Sequence, residues 1–502
     1  MTQAERNRLL LGQRIAVGFD GYELTPSLEK LIRDYKIGNI ILFRRNIRTA
    51  RQVRSLCDNL QKLILQETGL PAFIMLDEEG GTVSRLADIA TPTPSAMAVG
   101  ASGEAEYAYQ LGRMMGGELS AVGVNMDLAP VLDCNTNPNN VVIGVRSFGS
   151  DPETVARFGA RFASGLRQAG VIACGKHFPG HGDTEVDSHL GLPVVEKTME
   201  QMEKEELVSF RKAISDGIDA LMTAHVVFPA LDANRVPSTV SRRVITWLLR
   251  GQMGYPGLII SDCMEMGAVQ DLYGTPQAAL MALQAGVDIT LVSHTEALQR
   301  ESFQTALAAL ESGLLNAAEC QASYNRIVEK KQRLAIPAAF DPKQLRQSPF
   351  AALVQKIEEA AVRVLHAPAG RPLPALSGHP LFAGVDAMAA SRASDGLHLS
   401  AVERLAQAFG GEVSKTPWQQ EAQQLASAPG RTAVVVLSRH PDAQAMADFA
   451  IKLAQAGAQV IAVSMDTPYC LDRLPDSLWK IATYQYDELA LNRLIALLSH
   501  HC

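Results

Sequence analysis

The chain has 502 residues, 47% of them hydrophobic and 20% charged, with a formal net charge of -7 and a mean hydropathy of +0.03. That length exceeds what one hydrophobic core ordinarily serves, so two domains are expected. The acidic balance, without any Lys/Arg-rich run, excludes a general affinity for nucleic acid or anionic membrane, and no apolar stretch reaches the length of a membrane span.

The polar start Met1–Arg6 leads only to a brief Leu9-Leu10-Leu11 run, with no apolar signal segment before a small-residue cleavage site. A cytoplasmic location is expected. Seven cysteines, odd in number, scattered and free of CxxC spacing, fit reduced thiols better than a disulfide framework.

From here one pattern repeats: a short apolar strand, a polar or Gly-containing loop, then a longer helical stretch. The predicted strands are Ile15–Phe19, Asn39–Phe43, Ala72–Leu76, Val124–Leu128, Val171–Cys174, Ala220–Thr223, Leu258–Ser261 and Asp288–Val292. Segments such as Leu28–Tyr35, Ala105–Val122, Pro152–Ala169 and Met202–Asp216 carry apolar residues at three- and four-residue spacing. Alternation of this kind implies a parallel sheet, and its repetition over residues 1–337 fits a (β/α)8 TIM-type barrel better than an open sheet. Residues 338–376 read as a linker with a helical stretch, Phe350–Ala361, and the breaker-rich Pro368–Pro374. Residues 377–502 then form a smaller α/β domain: Thr432–Leu437, the helical Asp442–Ala456 and Gln459–Val463 make a strand–helix–strand unit with no catalytic constellation.

Polar residues gather just after the barrel strands: Asp77, Lys176 with His177, His225 and Asp262. In a barrel, all of these fall on the C-terminal face, where catalytic groups sit. The densest stretch is 176–189, Lys-His-Phe-Pro-Gly-His-Gly-Asp-Thr-Glu-Val-Asp-Ser-His, read as a loop because no helix runs through Pro179, Gly180 and Gly182. Breaking a glycosidic bond with retention needs one group to attack the anomeric carbon and another to protonate the leaving oxygen. Asp262 is the nucleophile candidate; the alternative is a helix cap after a strand–helix loop. Asp187 and His189, two apart, suggest a dyad in which the aspartate orients an imidazole that donates and later takes a proton; the alternative is a solvated loop Asp beside a backbone-bonded His.

His177, His181, Asp183, Asp187 and His189 can also be read as a metal cluster, but the spacing matches no recognised helical metal signature and the stretch does not read as a helix, so a metal is the less favoured reading. Lys176 can bind hydroxyls or, as in a lyase, form a Schiff base. Asp77 with the following Glu78-Glu79-Gly80-Gly81, Arg85, and Arg146 can supply sugar contacts; either arginine can instead belong to a structural ion pair. Cys174 and Cys263 have no basic partner of their own in the sequence and read as small core residues.

Residues 176–189 resemble the signature of the β-N-acetylglucosaminidases of glycoside hydrolase family 3, in their two-domain form. The likeness extends through Gly12–Asn46, Leu76–Arg85, Asn125–Pro152, Met222–Asp232 and Gly257–Met266. It implies a TIM-type barrel followed by an α/β sandwich. It also implies Asp262 as nucleophile, Asp187 and His189 as the acid/base dyad, and Lys176, His177, Asp77, Arg85 and Arg146 on the sugar. Terminal β-linked GlcNAc, in glycosides or muropeptides, is the implied substrate, without a metal or organic cofactor, and a β-glucosidase-like hydrolase or a GlcNAc phosphorylase is the alternative within the family. Two departures stand out. Glu78 and Thr82 replace the Gln and Arg common in the Asp77 block, and Cys263 replaces the Asp or Ala usual after the nucleophile. Two-domain members are often exported, which sets this resemblance against the cytoplasmic expectation. The oligomeric state has no signature.

Overall fold

A computed structural model describes residues 2–185, 191–334, 339–384, 399–414, 430–438 and 443–499. Eight short parallel strands close into a barrel: β1 (Ile15–Val17), β2 (Asn39–Ile41), β3 (Phe73–Leu76), β6 (Met126–Asp127), β7 (Ile172–Phe178), β8 (Ala220–Thr223), β9 (Leu258–Cys263) and β10 (Ile289–Val292). A two-stranded hairpin, β4 (Glu78–Gly80) and β5 (Val83–Ser84), follows β3 outside the barrel order. The eight expected strands are thus the eight barrel strands. Between β8 and β9 the helix-like segment Arg243–Gln252 takes π geometry. The expected Met202–Asp216 helix is two helices, Met199–Lys204 and Glu206–Ser215, because the backbone at Glu205 (φ -124°, ψ -82°) leaves the helical region.

The strand period places the chemistry. Side chains alternate across a strand, so residues two apart share a face. One buried cluster, including Phe73 and Met75, Ile172 and Cys174, Leu258 and Ile260, and Ile289 and Leu291, fills the barrel interior. A step of two along those strands reaches Asp77, Lys176, Asp262 and Ser293, all of which line the cavity at the barrel mouth. A separate cluster, with Leu76, Val171, Leu221, Ile259 and Val292, packs the other strand faces against the surrounding helices.

Two strand ends run further than expected. β7 continues through Lys176 and His177 to Phe178, so the start of the 176–189 stretch is strand and not loop. Its outer part is held by Lys176 N–H donating to Pro130 O at 3.0 Å, Leu132 N–H donating to Lys176 O at 2.6 Å, and Ala224 N–H donating to Phe178 O at 2.7 Å. β9 likewise includes Asp262 and Cys263, fixed by pairing of Cys263 with Leu291.

The second sheet has six strands in the order β11 (Arg363–His366), β16 (Trp479–Ala482), β15 (Gln459–Ser464), β14 (Thr432–Leu437), β12 (Leu381–Gly384) and β13 (Glu412–Val413). Only the β11–β16 pair is antiparallel. Apolar clusters cover both faces, as expected of a largely parallel sheet. Within the stretch expected as a linker, a helix and a strand pack into the two domains. The Ser348–Ala361 helix buries Phe350, Leu353, Val354 and Ile357 against the barrel's helices, and β11 forms an edge of the second sheet. Among the described residues, no helix is long and apolar enough to cross a membrane.

Where that helix meets the second domain, Glu358 is buried and its Oε1 accepts from Gln485 Nε2 at 2.9 Å, while Oε2 has no hydrogen-bond partner among the described residues. Burial, reinforced by Asp487 and opposed by Gln485 and Arg493, pushes this carboxyl up from 4.5 to about 8. The folded protein then keeps a proton that the unfolded chain releases near 4.5, so this group removes stability as pH rises from 4.5 to about 8. Glu358→Gln is expected to flatten that part of the profile. Thermal melts across the interval check it: the variant's melting temperature gains on the parent's towards the alkaline end, and parallel profiles refute it.

Candidate active site

The barrel mouth holds a cavity of about 680 Å³ lined by Asp77, Glu79, Arg85, Arg146, Lys176, His177, His181 and Asp262 among others. The structure therefore brings together six of the eight residues singled out in the sequence. The remaining two, Asp187 and His189, lie outside the described residues.

Lys176 is the centre of the charged wall. Its ammonium is buried and donates to Asp77 Oδ1 and to Glu79 Oε1, both at 2.6 Å. Burial alone would push this ammonium's pKa down, but Asp77 and Glu79 reverse the effect and hold it above the usual lysine range. Arg146 reaches Glu79 through two charge-assisted bonds, Nε to Oε2 and Nη2 to Oε1, both 2.8 Å, and its Nη1 donates to Val142 O at 3.0 Å. Burial opposes the charge on Glu79, yet Arg146 and Lys176 together hold its carboxyl below the ordinary range. Arg85 Nη2 lies 3.8 Å from Asp77 Oδ2.

Glu79 is a functional candidate that the sequence did not single out by itself. Asp77, Glu78 and Glu79 are consecutive acids at a strand end, and nothing in the order says which faces the cavity. The hairpin decides. Glu78 turns away, accepting from Ser84 Oγ and from the backbone N–H groups of Arg85 and Leu86, and burial raises its carboxyl to about 7. Glu79 turns in.

His177 follows Lys176 on β7, with Nδ1 2.7 Å from Asp133 Oδ2. A carboxylate can only accept, so Nδ1 carries the proton. Asp133 Oδ1 also accepts from the backbone N–H groups of His177 at 3.1 Å and His181 at 2.7 Å. Burial works against the Asp133 charge, but His177 and these bonds hold it below the usual range. His181 is driven down to about 4, by burial first and then by the neighbouring His177. It is thus neutral near pH 7, with Nδ1 2.8 Å from Thr184 Oγ1. Asp183 accepts from Thr136 Oγ1 at 3.0 Å, so this stretch is tied to barrel loops through to Thr184.

Asp262 is half-buried on β9, and its Oδ1 accepts from Cys263 N–H at 2.7 Å. The helix that follows starts at Gly267 with Met266 at its cap position, so Asp262 does not cap it. Behind β9, His225 is buried with Nε2 2.9 Å from Cys263 O and Nδ1 2.8 Å from Thr239 Oγ1. A carbonyl only accepts, so His225 Nε2 donates and braces the strand end that carries Asp262. Cys174 is a core residue, as expected. Cys263 is not: it is half-buried on the cavity wall, and burial raises its thiol to about 11. Among the described residues, no group of three or more His, Cys, Asp or Glu side chains is arranged to hold a metal ion.

A family model for the glycosyl hydrolase family 3 N terminal domain matches residues 11–329. The chain is 37% identical over 333 residues to beta-hexosaminidase A of Pseudoalteromonas piscicida, a match covering 62% of this chain and 56% of that protein. It is 36% identical over 297 residues to a beta-hexosaminidase of Alkalilimnicola ehrlichii, covering 58% of this chain and 83% of the relative. Among solved structures, a glycoside hydrolase family 3 beta-N-acetylglucosaminidase from Paenibacillus sp. str. FPU-7 superposes with a TM-score of 0.89 at 34% identity, covering 100% of this chain and 97% of that one. A beta-glucoside phosphorylase shares the fold at 21% identity, with a TM-score of 0.81 and coverage of 100% and 93%.

Proposed function

The chain belongs to glycosyl hydrolase family 3, and from that premise we propose that it is a retaining exo-β-N-acetylglucosaminidase acting on terminal β-linked GlcNAc in glycosides or peptidoglycan fragments. One observation carries the reading: Asp262 shares one barrel-mouth cavity with Lys176, Asp77, Glu79, Arg146 and His177. A carboxylate on a strand end beside a wall of rigid charged groups suits covalent attack on a sugar held by its hydroxyls. The beta-hexosaminidase names of the relatives, and the Paenibacillus enzyme matched over the whole chain, support GlcNAc as the sugar.

In this mechanism Asp262 attacks the anomeric carbon while protonated His189, oriented by Asp187, donates to the departing oxygen. Neutral His189 then takes a proton from water, which opens the covalent glycosyl-enzyme and releases GlcNAc with its β configuration retained. Lys176 and Asp77 bind hydroxyls, and Arg146 acts mainly by holding Glu79. The Schiff-base alternative needs a neutral amine, and Lys176 is held as an ammonium by two carboxylates.

Side-by-side assays of an aryl β-GlcNAc and an aryl β-glucoside, with and without phosphate, test the assignment. Faster release from the β-GlcNAc, independent of phosphate, is expected, with the β-anomer as first product by NMR. The α-anomer as first product would refute retention, and a phosphate requirement would make the enzyme a phosphorylase. For the dyad, His189→Ala is expected to lower kcat/KM, which reports formation of the glycosyl-enzyme, by about 10²-fold or more for glycosides with poor leaving groups and far less for activated aryl glycosides, since general acid help matters most where the leaving group is basic. Equal losses on both would remove His189 from the acid role.

A further inference from the structure

The charged wall of the cavity rests on a barrel segment that the second domain holds. Immediately after Glu79 the chain turns through Gly80 and Gly81, at φ +93° and +56°. A Cβ on Gly81 would lie 2.9 Å from Ser95 Cα, and one on Gly80 would lie 2.6 Å from Pro94 O. Gly81 N–H also donates to Thr93 O at 3.0 Å. The turn that aims Glu79 is therefore seated directly on Thr93–Ser95. Ser95 caps the Ala96–Ala101 helix, accepting from Ala98 N–H at 3.1 Å. Met97 and Ala98 of that helix share an apolar cluster with Val145, the neighbour of Arg146, and with Leu381, Ala383 and Tyr484 of the second domain.

Both donors of Ser95 go to the second domain. Its N–H donates to Gln485 Oε1 at 2.6 Å and its hydroxyl to Tyr484 O at 2.7 Å. Gln485 is fully buried, and its Nε2 donates to Glu358 Oε1 at 2.9 Å and to Asp487 Oδ1 at 3.1 Å. One amide thus joins the barrel, the Ser348–Ala361 helix and the second domain at a single point. A buried amide with both ends occupied has little freedom, and leaving its partners unpaired is costly.

We propose that Gln485 is a positioning residue for sugar binding: by fixing Ser95 it sets the Gly80–Gly81 turn, and so the placement of Glu79 against Lys176 and Arg146. This rests on the proposal that the Glu79–Lys176–Arg146 wall binds the substrate sugar, and it gives the second domain a part in binding without placing any of its groups in the cavity.

The test compares Gln485→Ala, the near-isosteric Gln485→Met, and the exchange Gln485→Glu with Glu358→Gln, which keeps an acceptor for Ser95 and an amide–carboxyl pair. Steady-state kinetics on aryl β-GlcNAc run beside thermal melts that give the folded fraction. The single variants are expected to raise KM about fivefold to tenfold with kcat within about twofold, the pattern of lost uniform binding, and the exchange to restore most of the KM. An unchanged KM in a folded single variant overturns the proposal. Activity loss that merely tracks the unfolded fraction, or failure of both single variants to fold, assigns Gln485 a structural role and also overturns it. A parent enzyme inactive on aryl β-GlcNAc would instead defeat the functional reading, before any Gln485 variant enters.

Discussion

Replacing Asp262 by alanine is expected to lower turnover of an aryl β-GlcNAc by on the order of 10⁴-fold, a barrier increase of about 5.5 kcal/mol, while leaving the fold intact. The size follows from its role: without the nucleophile no covalent intermediate forms, and water cannot take up the same fixed position. The fold should survive because Asp262 is half-buried on a cavity wall and accepts from the N–H of its own chain neighbour Cys263. Stopped assays with circular dichroism on the same sample check both halves. Near-parental hydrolysis by the folded variant would sink the assignment. Addition of azide sharpens the result, since a small anionic nucleophile in the vacated space would restore turnover and release an α-glycosyl azide.

The second large effect concerns Glu79. Glu79→Ala leaves Arg146 without the carboxylate that accepts two of its bonds, and takes one of two carboxylates from the buried Lys176. Removing one partner of a buried ion pair ordinarily costs about 3–5 kcal/mol, mostly because the remaining charge stays desolvated. The lower end is expected here, because Lys176 retains Asp77. Urea denaturation should show a lower midpoint at unchanged slope. The same variant should raise KM for aryl β-GlcNAc, since Lys176 and Arg146 lose their common anchor. Glu79→Gln, which keeps the shape without the charge, should fall between the two. A midpoint unchanged in Glu79→Ala would mean that the wall is not held by this carboxylate.

Much of the architecture was legible because it follows from short-range periodicity. Apolar runs of strand length, separated by helical spacing and polar loops, repeat eight times, and the closed eight-stranded barrel follows from them. The same period of two that makes Phe73 and Met75, Ile172 and Cys174, and Leu258 and Ile260 interior residues carries Asp77, Lys176 and Asp262 to the mouth. Polar residues directly beyond buried strands are thus informative on their own. Polar residues at the ends of β7 and β9 read locally as strand stops, whereas pairing with the Ala129–Leu132 segment and with β10 carries both strands into the site.

What a linear reading does not contain is partnership between residues far apart in the chain. The order Asp77-Glu78-Glu79 has three equivalent carboxylates. Only the hairpin turn, fitted against Thr93–Ser95, sends Glu78 to backbone donors and Glu79 to Lys176 and Arg146. Asp133 is an ordinary rim acid until β7 brings His177 to 2.7 Å from it. Gln485 is one buried glutamine among many polar residues until the second domain sets its amide against Ser95. Composition and strand period determine that a barrel forms and which strand ends face its mouth, because those depend on neighbours one to four residues away. The pairing of charges at that mouth depends on contacts tens of residues apart within the barrel, and the Ser95–Gln485 bond on one between the two domains, so both exist only in the packed tertiary structure.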